Sequence, residues 1–209
     1  MLPWILLTAV ALAGLLVAER AGSRRGAYLC KPLASTGFVG AAITAGAPDS
    51  AYGRVILAAL VLSWLGDAFL LSSRSALFLA GLGSFLLAHV AFGAAFVIRG
   101  QDAAWTAGAL AVLTIPALIV ARWLRPHLPP DMRLPVRVYI VVITGMLALA
   151  AGAVAAGAPW IALVGALTFY LSDLSVANDR FVREGFLNKL WGLPLYYFAQ
   201  ICLAASVRG

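Results

Sequence analysis

Apolar residues run along this chain in blocks of about 16 to 22, the length a helix needs to cross a hydrocarbon core of ~30 Å, and polar residues gather at the joints. The blocks fall at 3–18, 28–46, 52–71, 77–98, 103–121, 135–156, 159–177 and 191–207. They are rich in Ala, Leu, Val and Gly and lack the ten-residue alternation of a transmembrane barrel strand. The pattern predicts an all-α polytopic membrane protein, a bundle of about eight transmembrane helices. No Lys or Arg precedes the first block, and Glu19, Arg20, Arg24 and Arg25 follow it, so it reads as a retained helix and not as a signal peptide. The longest polar interruptions are 122–137 and 178–189, and no linker divides the chain. Residues 1–209 read as one transmembrane helical domain.

Composition closes the soluble alternative. With 63% hydrophobic residues and 11% charged, and a mean hydropathy of +0.98, there is too little polar surface to cover a water-soluble globule. Charge then orients the bundle, because short cytoplasmic loops retain Lys and Arg. The loops after spans 1, 3, 5 and 7 hold Arg20, Arg24, Arg25, Arg74, Arg122, Arg125, Arg133, Arg137, Arg180, Arg183 and Lys189. The even loops and the C-terminal tail hold Arg54, Arg99 and Arg208. Both termini are therefore expected outside, in a multi-pass protein of the cytoplasmic (inner) membrane. The net charge of +7 is first a topology signal and second an attraction for anionic membrane lipids. It does not point to nucleic acid, and no obligate protein partner is evident. Cys30 and Cys202 lie in or beside spans and read as small core residues.

An ionisable side chain inside a bilayer is costly unless paired or solvated, so such residues mark sites or pathways. Asp67 and Asp173 each stand four residues before the cytoplasmic end of their spans, and Lys31 opens the second span just before Pro32. Tyr139, Asn178, Arg180, Tyr196 and Tyr197 share that layer or its rim, while His89 sits deeper. Structural ion pairs of the aspartates with Lys31 and Arg180, and aromatic-belt roles for the tyrosines, are the plainer alternatives. Trp64-Leu65-Gly66-Asp67 and Tyr170-Leu171-Ser172-Asp173 share an aromatic residue, a leucine, a small residue and an aspartate in register. Both segments run inward, which suggests a parallel repeat of helices 1–4 and 5–8 with two equivalent aspartates near its axis.

The chain resembles the YhhN family through Lys31-Pro32-Leu33, Gly66-Asp67, Ala88-His89, the stretch from Ser172-Asp173 to Arg180-Phe181, and Pro194-Leu195-Tyr196-Tyr197. Its characterised members are lysoplasmalogenases, integral membrane hydrolases of the vinyl-ether bond. The resemblance implies Asp67 and Asp173 as the catalytic pair and a lysophospholipid as substrate. The residues fit that chemistry. A vinyl ether hydrolyses by protonation of its β-carbon, giving an oxocarbenium ion that water captures. One of two neighbouring buried aspartates can stay protonated as the acid while the other stabilises the cation. Which takes which part is open at this stage. Lys31, with Ser35 one turn deeper, is placed for a lipid phosphate, so Lys31→Met is expected chiefly to raise KM. Asn178, Arg180, His89, Tyr139, Tyr196 and Tyr197 complete the expected substrate contacts.

Two histidines, His89 and His127, are too few for a membrane zinc amidase. No Gly-x-Ser-x-Gly elbow, phosphate-binding loop or Cys-x-x-Cys pair is present. No metal or cofactor is expected. A proton-coupled transporter could use the same Asp and His residues, and a lipid-organising protein would need neither aspartate. The enzyme reading further expects helices 2, 3, 7 and 8 to surround one chamber.

Overall fold

A computed structural model describes residues 1–72 and 74–208. Among the described residues eight α-helices follow one another: α1 (Leu2–Arg20), α2 (Arg24–Thr44), α3 (Ala51–Leu70), α4 (Ser75–Arg99), α5 (Ala103–Leu124), α6 (Arg133–Ala155), α7 (Trp160–Ala177) and α8 (Phe186–Ala205). Short polar side chains start several of them by accepting from backbone N–H groups that lack an intrahelical partner. Ser23 accepts from Gly26, Ser50 from Gly53, and Asp102 from Ala104 and Trp105. At the end where α2, α4 and α6 stop, Gly46, Gly100 and Gly157 take φ of +92°, +112° and +101°, a backbone region open to glycine at little cost.

Among the described residues seven helices are long and apolar enough to cross a membrane, and the chain is a polytopic all-α membrane protein. The exception is α2, whose Arg24, Arg25, Lys31, Pro32 and Ser35 lower its hydropathy. Its polar face is turned to neighbouring helices: Ser35 is fully buried. Close approach of α1 to α2 depends on small residues. A Cβ at Gly37 would stand 2.8 Å from the Trp4 carbonyl oxygen, and the Trp4 indole lies over Gly40.

Two helices start earlier than hydropathy predicts. Helix α8 begins at Phe186, where the pattern places 191, and α2 at Arg24, where it places 28. The added turn of α8 carries Asn188 and Lys189, which meet other polar groups. Lys189 donates to Glu19 at 2.7 Å, and Asn188 donates to Asp179 at 3.1 Å and to the Arg183 carbonyl at 2.7 Å.

Neighbours in the bundle bear out the internal repeat. Helices pack as α1–α2, α2–α3 and α3–α4, then as α5–α6, α6–α7 and α7–α8, with α2–α8 and α4–α6 crossing between the halves. Advancing each helix number by four maps these pairs onto one another, α1–α8 and α3–α8 being the exceptions. Both termini lie at one end, where Tyr52 meets Ser206 at 2.7 Å and Arg208 donates to the Thr44 carbonyl. The loops rich in Arg and Lys lie at the other end. Reporter fusions after Gly46 and after Arg208 are expected to register outside, and fusions near Arg125 in the cytoplasm. The opposite pattern would turn the bundle over.

Candidate active site

The end of the bundle that carries the basic loops opens into a chamber of about 850 Å³. Every helix contributes to its wall: Leu15 and Glu19 from α1, Lys31 from α2, Asp67 from α3, Phe85 from α4, Leu124 from α5, Tyr139 from α6, Asp173 from α7 and Tyr196 from α8. The expected four-helix enclosure by helices 2, 3, 7 and 8 is therefore too small. The repeat explains why: α4 and α6 bring to Asp173 what α8 and α2 bring to Asp67.

Asp67 is 3% exposed. Lys31 Nζ lies 3.2 Å from its Oδ1, Ser35 Oγ donates to Oδ2 at 2.6 Å, and Tyr196 Oη donates to the same oxygen at 2.7 Å. Three donors, one of them cationic, suit a carboxylate anion. Tyr197 Oη stands 3.4 Å from both Ser35 Oγ and the Lys31 carbonyl, behind the pair. Gly66 lets α4 come close, since a Cβ there would stand 2.6 Å from the Phe85 ring.

Asp173 has a different set of neighbours. Tyr139 Oη donates to Oδ2 at 2.7 Å, and His89 Nε2 faces the same oxygen at 3.7 Å. Neither is a fixed cation. Its side chain is 18% exposed, against 4% for Asp67. A chain of aromatic rings joins the two carboxyl sites: Tyr196 packs on Phe169 at 5.5 Å and on Phe85 at 5.8 Å, and Phe169 packs on His89 at 4.4 Å.

The other expected contacts divide. Lys31, Tyr139, Arg180 and Tyr196 line the chamber with the two aspartates. Ser35, Tyr197 and His89 stand behind its wall, each 1% exposed or less. Ser35 thus serves Asp67 and does not reach a phosphate beside Lys31. Asn178 donates to Asn188 at 2.8 Å, and with Asp179, which accepts from Gly185 N–H at 2.9 Å, it ties the π-helical turn Asn178–Val182 to α8. That role is structural. Arg180 pairs with neither aspartate; its guanidinium lies 4.1 Å over the Phe78 ring, a cation–π contact at the mouth. Arg24, Arg74, Arg183 and Lys189 also line the mouth. Phe85, Phe169, Asn188 and the Glu19–Lys189 pair carry no sequence signal that separates them from packing and loop residues. Among the described residues no three His, Cys, Asp or Glu side chains converge to ligate a metal ion.

The arrangement combines an ion-paired carboxylate with a carboxyl held by neutral groups, in a chamber walled by aromatic rings. It suits acid chemistry on a substrate that develops positive charge.

The sequence profile of the YhhN family matches residues 26–207. A Mycobacterium tuberculosis (strain CDC 1551 / Oshkosh) protein named Lysoplasmalogenase is 34% identical over 163 residues, which cover 73% of this chain and 60% of that protein. The human protein named Lysoplasmalogenase TMEM86B is 34% identical over 161 residues, covering 76% of this chain and 66% of its own length. The human protein named Lysoplasmalogenase TMEM86A is 34% identical over 158 residues, covering 72% and 64%. The chain thus spans about three fifths to two thirds of the curated relatives it matches. No solved structure matches it. A profile match that takes in α2 through α8, including both aspartates and the residues that hold them, means that the chain belongs to the YhhN family.

Proposed function

We propose that this protein hydrolyses the vinyl-ether bond of lysoplasmalogens, 1-alkenyl glycerophospholipids with ethanolamine or choline headgroups, to a fatty aldehyde and a glycerophospho-alcohol. The observation that carries the reading is that two aspartates with unlike partners, Asp67 buried and Asp173 partly exposed, open on one chamber. The names of the relatives support the same substrate.

The single chain of a lysolipid fits the apolar wall formed by Phe78, Leu82, Val120, Leu124 and Ile140. Its phosphate fits the basic mouth, where Arg24, Arg74 and Arg183 stand near the headgroup layer. One carboxyl gives its proton to the β-carbon of the vinyl ether: the new C–H bond takes the π pair, and an oxocarbenium ion remains. The other carboxylate stabilises that cation. Water adds to the cation and releases a proton to the emptied carboxylate. The resulting hemiacetal then collapses, its hydroxyl proton passing to the departing glycerol oxygen, so the enzyme ends as it began.

With the basic end inward, the chamber opens to the cytoplasmic leaflet. Its lining residues all lie toward that end, which favours an enzyme over a transporter needing access from both faces. Purified protein incubated with choline or ethanolamine lysoplasmalogen should release a fatty aldehyde detectable by mass spectrometry. Intact lysolipid after prolonged incubation with folded protein would remove this reading.

A further inference from the structure

His89 is a buried polar group set behind the chamber wall, 1% exposed on α4. Its Nδ1 lies 2.6 Å from the Phe85 carbonyl oxygen. A carbonyl oxygen only accepts, so Nδ1 carries a hydrogen, and in the neutral ring the lone pair then sits on Nε2. Nε2 has no hydrogen-bond partner and faces Asp173 Oδ2 at 3.7 Å. Among the described residues the rings packed on the imidazole are Tyr139, 5.3 Å away with its hydroxyl committed to Asp173, and Phe169 at 4.4 Å. No cation lies among them. A lone pair and a carboxylate facing each other beside a buried imidazole repel, and a single proton between them turns the contact into a hydrogen bond.

Resting on the function proposed above, we infer that Asp173 and His89 hold one proton in common, that Asp173 is the acid which protonates the alkenyl carbon, and that His89 is the positioning residue which keeps that proton on call. Asp67, ion-paired with Lys31 and accepting from Ser35 and Tyr196, is the standing anion. The internal repeat sharpens the contrast between two equivalent aspartates: α2 gives Asp67 a lysine where α6 gives Asp173 Tyr139, and α8 gives Asp67 Tyr196 where α4 gives Asp173 an imidazole. In the reaction the Asp173 O–H bond breaks as the C–H bond forms, leaving a carboxylate beside a neutral imidazole. When water adds to the oxocarbenium ion its surplus proton returns to this pair, and the resting state is restored with no other donor needed.

The test has an arm that needs no substrate. The chain has two histidines, so the His127→Gln protein, labelled with ¹⁵N-histidine in detergent, reports on His89 alone. Nitrogen spectra at neutral pH should show the hydrogen on Nδ1 and a hydrogen-bonded, unprotonated Nε2 whose signal moves in Asp173→Asn. A hydrogen fixed on Nε2, or a signal indifferent to Asp173→Asn, would overturn the inference. In the kinetic arm, His89→Gln should lower kcat for aldehyde release by about 10²-fold with KM unchanged. Glutamine can still donate to the Phe85 carbonyl and face Asp173, but it cannot hold the shared proton. A Gln variant with wild-type kcat would reduce His89 to packing. Expected spectra combined with a wild type that releases no aldehyde would sink the substrate reading and leave the proton pair standing.

Discussion

Asp67→Asn and Asp173→Asn are each expected to abolish aldehyde release from a lysoplasmalogen while leaving a folded protein in detergent, Asp67→Asn at reduced stability because Lys31 loses its partner. Asparagine keeps the shape of each side chain and still offers an oxygen to Tyr196 and Ser35 in one case and to Tyr139 in the other. It cannot give up a proton to carbon, and it carries no charge to set against an oxocarbenium ion. General acid catalysis is worth ~10²- to 10⁴-fold, and loss of electrostatic stabilisation of a developing charge is of similar size. Initial rates of aldehyde formation, with thermal unfolding measured alongside, check the prediction. Either variant retaining near wild-type kcat would exclude that aspartate from the chemistry. A variant that loses activity only in step with stability would mark its aspartate as structural.

The second large effect falls on stability. Lys31→Met leaves Asp67 without its cation in a nearly dry site, and breaking a buried ion pair from one side costs about 3–5 kcal/mol. The double variant Lys31→Met with Asp67→Asn removes the orphaned charge together with its partner, so it should recover most of that loss while staying inactive. Unfolding by SDS or heat in micelles, run as a double-mutant cycle, measures the coupling. The ion pair revises the expectation, drawn from position alone, that Lys31→Met would chiefly raise KM. A single variant as stable as wild type, changed only in KM, would restore the phosphate-binding role. With Lys31 committed to Asp67 at 3.2 Å, the proposed function assigns the phosphate to the arginines of the mouth.

Much of this protein was legible in its sequence because the bilayer makes the rules local. A spanning segment must satisfy its own backbone groups and hide them in apolar side chains, so helix number and approximate ends follow from hydropathy. Basic residues mark one end of the bundle by their count in alternate loops, and the cost of burying Asp67, Asp173 and Lys31 already sets them apart as a layer. The short match around Asp67 and Asp173 pointed to a repeat that the packing of the helices then displays. Only the tertiary structure decided which face of each helix meets which neighbour, because helix rotation depends on close packing at small residues such as Gly37, Gly66 and Gly192 and not on hydropathy. That rotation turns Ser35 toward Asp67, sets His89 behind Asp173, ties Asn178 to Asn188 and lays Arg180 on Phe78. The sequence placed two aspartates at one depth; the packing of eight helices gave one of them a lysine and the other an imidazole, and so made two identical side chains chemically unlike.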